Sequence, residues 1–243
     1  MIKRSIKKII NYILSQYMIL NKSVSPFTKW EMENKNESYE YFKKYYGNSV
    51  LFTSVEKIRD YVINKSLEKN KYKLNENDLF LEFGVFKGES LNFFSTKLKQ
   101  YSSKIYGFDS FEGLSHDWLG NINHSAKTFK TSKIPSHKKE TSELVVGNVF
   151  ETLDKFIEER INRKNSKIVF IHMDLDIYEP TSFVLKKLKP FLKSGAIILF
   201  DQLYNYPGWK EGEYKALKEN FNDNEYEYIA FTDSNQVAIR IRK

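Results

Sequence analysis

The sequence predicts a doubly wound α/β domain: a mostly parallel, seven-stranded sheet that ends in an antiparallel hairpin and carries a helical extension at its N-terminus. Three observations carry this. From Asp78 onward, short apolar runs alternate with stretches of helical periodicity, the pattern of strands joined by crossover helices. The last two β-rich runs, Glu225–Phe231 and Gln236–Ile241, are separated only by Thr232-Asp233-Ser234-Asn235, which suits a hairpin turn. The 243 residues, 41% hydrophobic and 16% aromatic, are ample for one large core.

In chain order, Ile2, Ile6, Ile9, Ile10, Ile13, Leu14, Tyr17 and Leu20 recur at steps of three and four with lysines opposite, which describes an amphipathic helix. It is expected to pack on its own domain or on a second copy, with contact to an anionic membrane surface as the alternative. Residues 21–50 are polar and Tyr-rich and read as an irregular segment, or part of a lid, leading to a helix near 52–69. Residues 79–83, 104–108, 143–146, 168–173 and 196–200 read as strands, and 88–100, 149–163, 181–192 and 211–221 as helices. The long, polar 113–140 segment reads as a substrate lid or an excursion.

Composition removes several classes of function. There is no cysteine, which excludes disulfides, cysteine-ligated metal and a thiol nucleophile. The net charge is +8, but Lys3, Arg4, Lys7, Lys8 and Lys22 supply five of those charges, so a nucleic-acid partner is not expected. No apolar run approaches the ~20 residues of a membrane span, and mean hydropathy is −0.55. The N-terminal apolar residues are broken by Asn11, Ser15 and Gln16, a poor secretion signal. A cytoplasmic protein is expected.

In an open α/β sheet the ligand lies at the carboxyl ends of the strands. The first such end reads Leu81-Glu82-Phe83-Gly84-Val85-Phe86-Lys87-Gly88-Glu89-Ser90. Gly84 and Gly88 let a backbone turn approach a ligand, and the following helix offers its N-terminal N–H groups there. The spacing is neither that of a phosphate loop nor Gly-x-Gly-x-x-Gly. Asp109 ends the next strand, 25 residues after Gly84, where one carboxylate can accept both hydroxyls of a ribose. Later strands deliver Ile171-His172-Met173-Asp174-Leu175-Asp176 and Leu199-Phe200-Asp201-Gln202. Asp174, Asp201 and the Gln202 amide oxygen are hard donors suited to Mg²⁺. Without a metal, the two aspartates would raise one pKa, a general-base signature.

These blocks, with Gly107-Phe108-Asp109-Ser110-Phe111-Glu112-Gly113-Leu114 and Asn205-Tyr206-Pro207-Gly208-Trp209, resemble class I S-adenosylmethionine-dependent methyltransferases, and more narrowly the macrocin and mycinamicin sugar O-methyltransferase family. The resemblance covers residues 75–243 and implies a Rossmann-like domain there, with 1–74 as an N-terminal extension or lid. It implies O-methylation of a sugar, nucleotide sugar, glycan intermediate or small natural product, and a homo-oligomer. It implies cofactor contacts from Glu82, Phe83, Gly84, Gly88, Ser90, Asp109, Ser110, Phe111, Asp174 and the Gly147-Asn148 turn, and a divalent ion, usually magnesium, near Asp174, Asp201 and Gln202.

The chain departs from its relatives twice. Gln202 stands where a second acid is common, which removes one negative charge from the ion site. Ile177 stands where catechol-type enzymes place a lysine base, so the base falls to Asp174, with His116 and His172 behind it. A nicotinamide-dependent oxidoreductase and a non-catalytic scaffold of the same fold are the alternatives. Trp118 and Trp209 are candidate apolar walls for the acceptor.

Overall fold

The computed structural model describes residue 10 and residues 24–68, 77–121 and 124–242. The expected helix over 2–20 lies outside this range apart from residue 10. The described chain forms one sheet of eight strands, β1 (Val50–Phe52), β2 (Asp78–Phe83), β3 (Ile105–Asp109), β4 (Ser142–Val146), β5 (Lys167–Met173), β6 (Leu192–Phe200), β7 (Tyr226–Thr232) and β8 (Val237–Ile241), in the order β1-β7-β8-β6-β5-β2-β3-β4. Only β8 is antiparallel to its neighbours, β6 and β7. The doubly wound fold with its closing hairpin is therefore as expected, and the strand count is eight rather than seven. The extra strand, β1, pairs Val50 with Ala230 and lies where the segment read from sequence as irregular meets the helix expected near 52–69.

The order of strands reverses between β2 and β5, so the chain runs outward in both directions from this pair. The crevice at their carboxyl ends is the place where such sheets bind ligands.

Helices cover both faces, which is why the strand interiors read as unbroken apolar runs. One face is covered by α2 (Val55–Leu67) and α3 (Glu89–Leu98), whose Ile58, Val62, Ile63, Leu91 and Phe94 bury against Phe80, Phe170, Ile197 and Leu199. The other is covered by α4 (Val149–Phe156), α5 (Tyr178–Leu188) and α6 (Glu213–Asn220), packed on Leu81, Phe83, Phe108, Ile171, Met173 and Phe200. Residues 50–67, assigned from sequence to the N-terminal extension, thus contribute a strand and a core helix to the sheet.

Helix α1 (Pro26–Tyr46) occupies a stretch in which no helix was expected. Ser25 caps it, its Oγ accepting the Thr28 N–H, and Pro26 suits the first turn. Its buried positions are Asn34, Ser38 and Phe42, one helical face at steps of four. Two of the three are polar, so no apolar periodicity marks the helix. Both polar residues hold the backbone of the loop after β6: Asn34 Oδ1 accepts the Gly208 N–H at 3.2 Å, and Ser38 Oγ accepts the Asn205 N–H at 3.2 Å. Phe42 packs its ring against Tyr41, Tyr204, Trp209, Tyr228 and Phe231. Trp209, read as a candidate acceptor wall, lies wholly inside this aromatic cluster.

The 113–140 excursion is folded where it is described. The Leu114 N–H bonds Thr128 O and the Lys127 N–H returns to Leu114 O, both at 2.9 Å. Asn92 of α3 donates to Ser136 O at 3.0 Å, and Phe129 packs edge-on against Phe86.

Phe42→Ala should cost about 3–5 kcal/mol, the range for emptying a phenylalanine site in a packed core, read as a lowered urea midpoint with unchanged slope. A cost below 1 kcal/mol would mean that α1 is not clamped through this ring.

Candidate functional site

The carboxyl ends of β2, β3, β5 and β6 bring most of the expected residues together. At the centre the β2 and β5 backbones converge: the Asp174 N–H bonds Phe83 O at 2.9 Å. Gly84 then turns with φ of +89°, and a Cβ there would lie 1.8 Å from the Asp174 carbonyl oxygen. Glycine is required here by the approach of two strands. Gly88, with φ of +79°, opens α3, and a Cβ there would lie 2.9 Å from Pro135 of the excursion.

Asp109 holds this turn open. Its Oδ2 accepts the N–H groups of Val85 and Phe86 at 2.8 and 2.7 Å, and its Oδ1 accepts that of Phe111 at 2.6 Å. Phe86 and Phe111 both have positive φ, a costly conformation for such side chains that these bonds help to maintain. A carboxylate has about four acceptor positions, so three backbone bonds leave room for one further donor rather than two.

Below the turn runs a buried row of polar groups on one face of the sheet. Register pairs Glu82 with His172 and His172 with Leu199, so Glu82, His172, Asp174 and Asp201 share that face. Ser90 Oγ donates to Glu82 Oε1, which also meets His172 Nδ1 at 3.1 Å. His172 Nε2 stands 3.6 Å from Asp201 Oδ1, beyond hydrogen-bonding reach. Glu82 and His172 have no exposed surface, and Glu82 Oε2 and His172 Nε2 have no hydrogen-bond partner.

Asp201 is held from three sides. Gln236, just before β8, and Arg59 of α2 donate to Oδ1, and Gln202 Nε2 donates to Oδ2 at 2.8 Å. Gln202, expected as an oxygen donor, thus turns its amide nitrogen to the carboxylate, and its Oε1 is buried without a partner. Glu213 of α6 is wholly buried and accepts the Gln202 N–H at 2.9 Å.

The charges of this cluster divide its pKa values. Burial, reinforced by the charges of Asp201 and Asp176, pushes Asp174 well above the usual carboxylate range. Burial and the Asp201 charge do the same to Glu213. Asp176, buried with Asp201 and Asp109 nearby, is pushed up to about 7. Burial also acts to raise Asp201, but His172, Gln236 and Arg59 outweigh it and hold the carboxyl below its ordinary value. For His172 burial acts downward, and Asp201 and Glu82 more than offset it, so the imidazole lies above its usual range. Burial and neighbouring charges thus set the two acids apart, Asp174 raised and Asp201 lowered.

The other expected residues sit around this centre. The Phe83 side chain is in the core, stacked on Phe108 with ring centroids 4.6 Å apart. Ser110 Oγ accepts the Glu112 N–H, Gly147 N–H bonds Asp109 O, and Asn148 caps α4 through the Phe150 N–H. His116 lies at the rim, exposed, its Nε2 2.8 Å from Glu179 Oε2. The Asp117 carbonyl, joined by Glu179, raises its pKa against the opposing effect of burial. Trp118 packs edge-on to Tyr206. Arg59, Glu213 and Gln236 carried no sequence signal, because each reaches the site from a distant element.

A family model described as a methyltransferase domain matches residues 81–203. Among solved structures, one of CalS11, a calicheamicin methyltransferase, shares 23% identity and a TM-score of 0.62 over 76% of this chain and 77% of its own. An apo structure of CalS11, described as a TDP-rhamnose 3′-O-methyltransferase, has a TM-score of 0.55 at 23% identity, covering 76% and 78%. The O-methyltransferase NovP has a TM-score of 0.53 at 16% identity, covering 77% and 79%. These likenesses show a shared fold. No curated protein matches the chain.

The raised acids make the ligand-free protein less stable as pH rises. A carboxyl whose folded pKa exceeds its unfolded value keeps a proton that the unfolded chain has released, so stability falls between the two values. For Asp176 this window runs from about 4 to about 7. His172, also raised, adds a loss above about 6.5, while the depressed Asp201 acts only below about 4. Melting measured in EDTA should therefore drop from pH 5 to 8, by roughly 2–4 °C per kcal/mol lost, and Asp176→Asn should flatten the fall below pH 7. A melting temperature that rises with pH would contradict these assignments.

Proposed function

The chain belongs to the methyltransferase-domain family, and on that premise we propose that it moves a methyl group from S-adenosylmethionine to a hydroxyl of a sugar, nucleotide sugar or small natural product. The observation that carries the reading is geometric: the glycine turn at the switch point of the sheet, where a Cβ on Gly84 would meet the Asp174 carbonyl, sets the Asp174 carboxyl, raised above its ordinary range by burial and the Asp201 charge, beside the place where a ligand binds in such sheets. The family match sets aside the nicotinamide alternative. The choice of an oxygen acceptor on a sugar draws on the fold likeness to CalS11 and NovP.

The residues fit the cofactor. Glu82 Oε2, buried and unpartnered, suits a cationic donor such as the cofactor's ammonium group, and Gly84 and Gly88 keep side chains out of the turn. Asp109 holds that turn and has one acceptor position left for a ribose hydroxyl. Ser110, Phe111 and the Gly147-Asn148 turn flank it on the adenosine side. The bound cofactor supplies an electrophilic methyl on a sulfonium sulfur.

What remains for the protein is alignment, exclusion of water and removal of one proton. Trp118, packed edge-on to Tyr206, is the remaining candidate for an apolar wall. Asp174 accepts the proton of the acceptor hydroxyl, and Asp201, fixed by Gln236, Arg59 and Gln202, keeps its charge and so keeps Asp174 basic. His116 at the rim is the second candidate base. A divalent ion fits between Asp174 and Asp201, whose charges repel, with Gln202 beside them; bound there, it would lower the pKa of an acceptor hydroxyl. We assign the chain to the cytoplasm, with residues 1–22 serving packing on its own domain or assembly with a second copy.

Incubation with S-adenosylmethionine and a panel of nucleotide sugars and glycosides should yield, by mass spectrometry, a product heavier by one methyl group. Asp174→Asn should lower kcat by about 10²–10⁴-fold, the contribution of a positioned base, and abolish the response to added metal. An unaltered kcat would remove Asp174 from proton transfer. EDTA should depress the rate and Mg²⁺ or Mn²⁺ restore it; full activity in EDTA would leave the two aspartates as an acid–base pair alone.

A further inference from the structure

Resting on the reading that a cation sits between Asp174 and Asp201, we propose that His172 Nε2 is its third protein donor. The site then offers one nitrogen and two carboxylates and favours Mn²⁺, Fe²⁺, Co²⁺ or Zn²⁺ over Mg²⁺. Three observations carry this. Single ligand atoms of His172, Asp174 and Asp201 all lie within 4.8 Å of one another. His172 is completely buried, and its Nε2, 3.6 Å from Asp201 Oδ1, is turned toward that carboxylate without reaching hydrogen-bonding distance of it or of any other group, a gap that a cation held by Asp201 would close. Its other ring nitrogen faces Glu82, itself fixed by Ser90. A carboxylate on the far nitrogen is the usual support of a metal-ligating imidazole, because it sets the tautomer and aims the free nitrogen.

Gln202 is the competing donor. Its nitrogen, not its oxygen, faces Asp201, at 2.8 Å. Turning the amide over would bring two acceptors together at that distance, whereas His172 Nε2 needs no rearrangement to offer a lone pair once its proton leaves. Imidazole nitrogen shifts preference from magnesium toward the transition ions.

The test uses the full chain, stripped of metal and titrated with Mn²⁺ alone, with the bound ion read by electron spin-echo modulation. Nitrogen coupling of a directly ligated imidazole is expected in the wild type. It should persist in His116→Gln/His124→Gln/His137→Gln, which leaves His172 alone of the four histidines, and in Gln202→Ala. His172→Asn should abolish it and weaken Mn²⁺ binding at least tenfold. Should His172→Asn fail to fold, the triple variant decides by itself. Bound Mn²⁺ without nitrogen coupling, or coupling lost in the triple variant, overturns the role of His172 and leaves an ion between the aspartates. A wild-type chain that binds no Mn²⁺ overturns the cation reading together with it.

Discussion

Glu82, His172 and Asp201 stand side by side at the ends of three adjacent parallel strands, with the first two sealed from water. Ionisable groups so placed are tolerable only when they compensate one another. The imidazole between two carboxylates does this, and Ser90, Gln236 and Arg59 complete the row from α3, the turn before β8 and α2. Asp174 lies on the same face but outside this compensation, which is why its carboxyl is pushed up while Asp201 is held down. The opposite directions in which the two acids are shifted follow from that row, and the proposed roles of Asp201 and Asp174 rest on them.

The row depends on the backbone above it. β2 and β5 approach so closely that only glycine fits at position 84, and the turn that follows is tied to Asp109 by the Val85 and Phe86 N–H groups, while the Phe111 N–H holds the other oxygen of the same carboxylate. Asp109 is thus structural before it is a ligand-binding group: its carboxylate shapes the loop against which a cofactor would rest. The excursion after β3 then lies across this loop through Pro135 and Phe129.

Much of this was legible in the sequence, for local reasons. Strands buried on both faces announce themselves as apolar runs, and Gly84, Asp109, Asp174 and Asp201 each sit directly past one, so the switch-point rule found them. Helix α1 was not legible, because the face it buries carries Asn34 and Ser38, which bind loop backbone rather than apolar core. Strand β1, three residues long and half exposed, gave no pattern. Arg59, Glu213 and Gln236 reach Asp201 or Gln202 from α2, α6 and the turn before β8, contacts set by the tertiary fold. The orientation of Gln202 was hidden for the same reason: identity predicted an oxygen donor, whereas the neighbouring carboxylate draws the amide nitrogen.

Binding of S-adenosylmethionine to the purified chain, followed by titration calorimetry, tests the central claim most directly. One molecule should bind per chain, and Glu82→Gln, which removes the charge facing the unsatisfied end of the row, should weaken binding at least tenfold in a protein that still melts cooperatively. A folded wild-type chain that shows no saturable heat with S-adenosylmethionine would contradict the account.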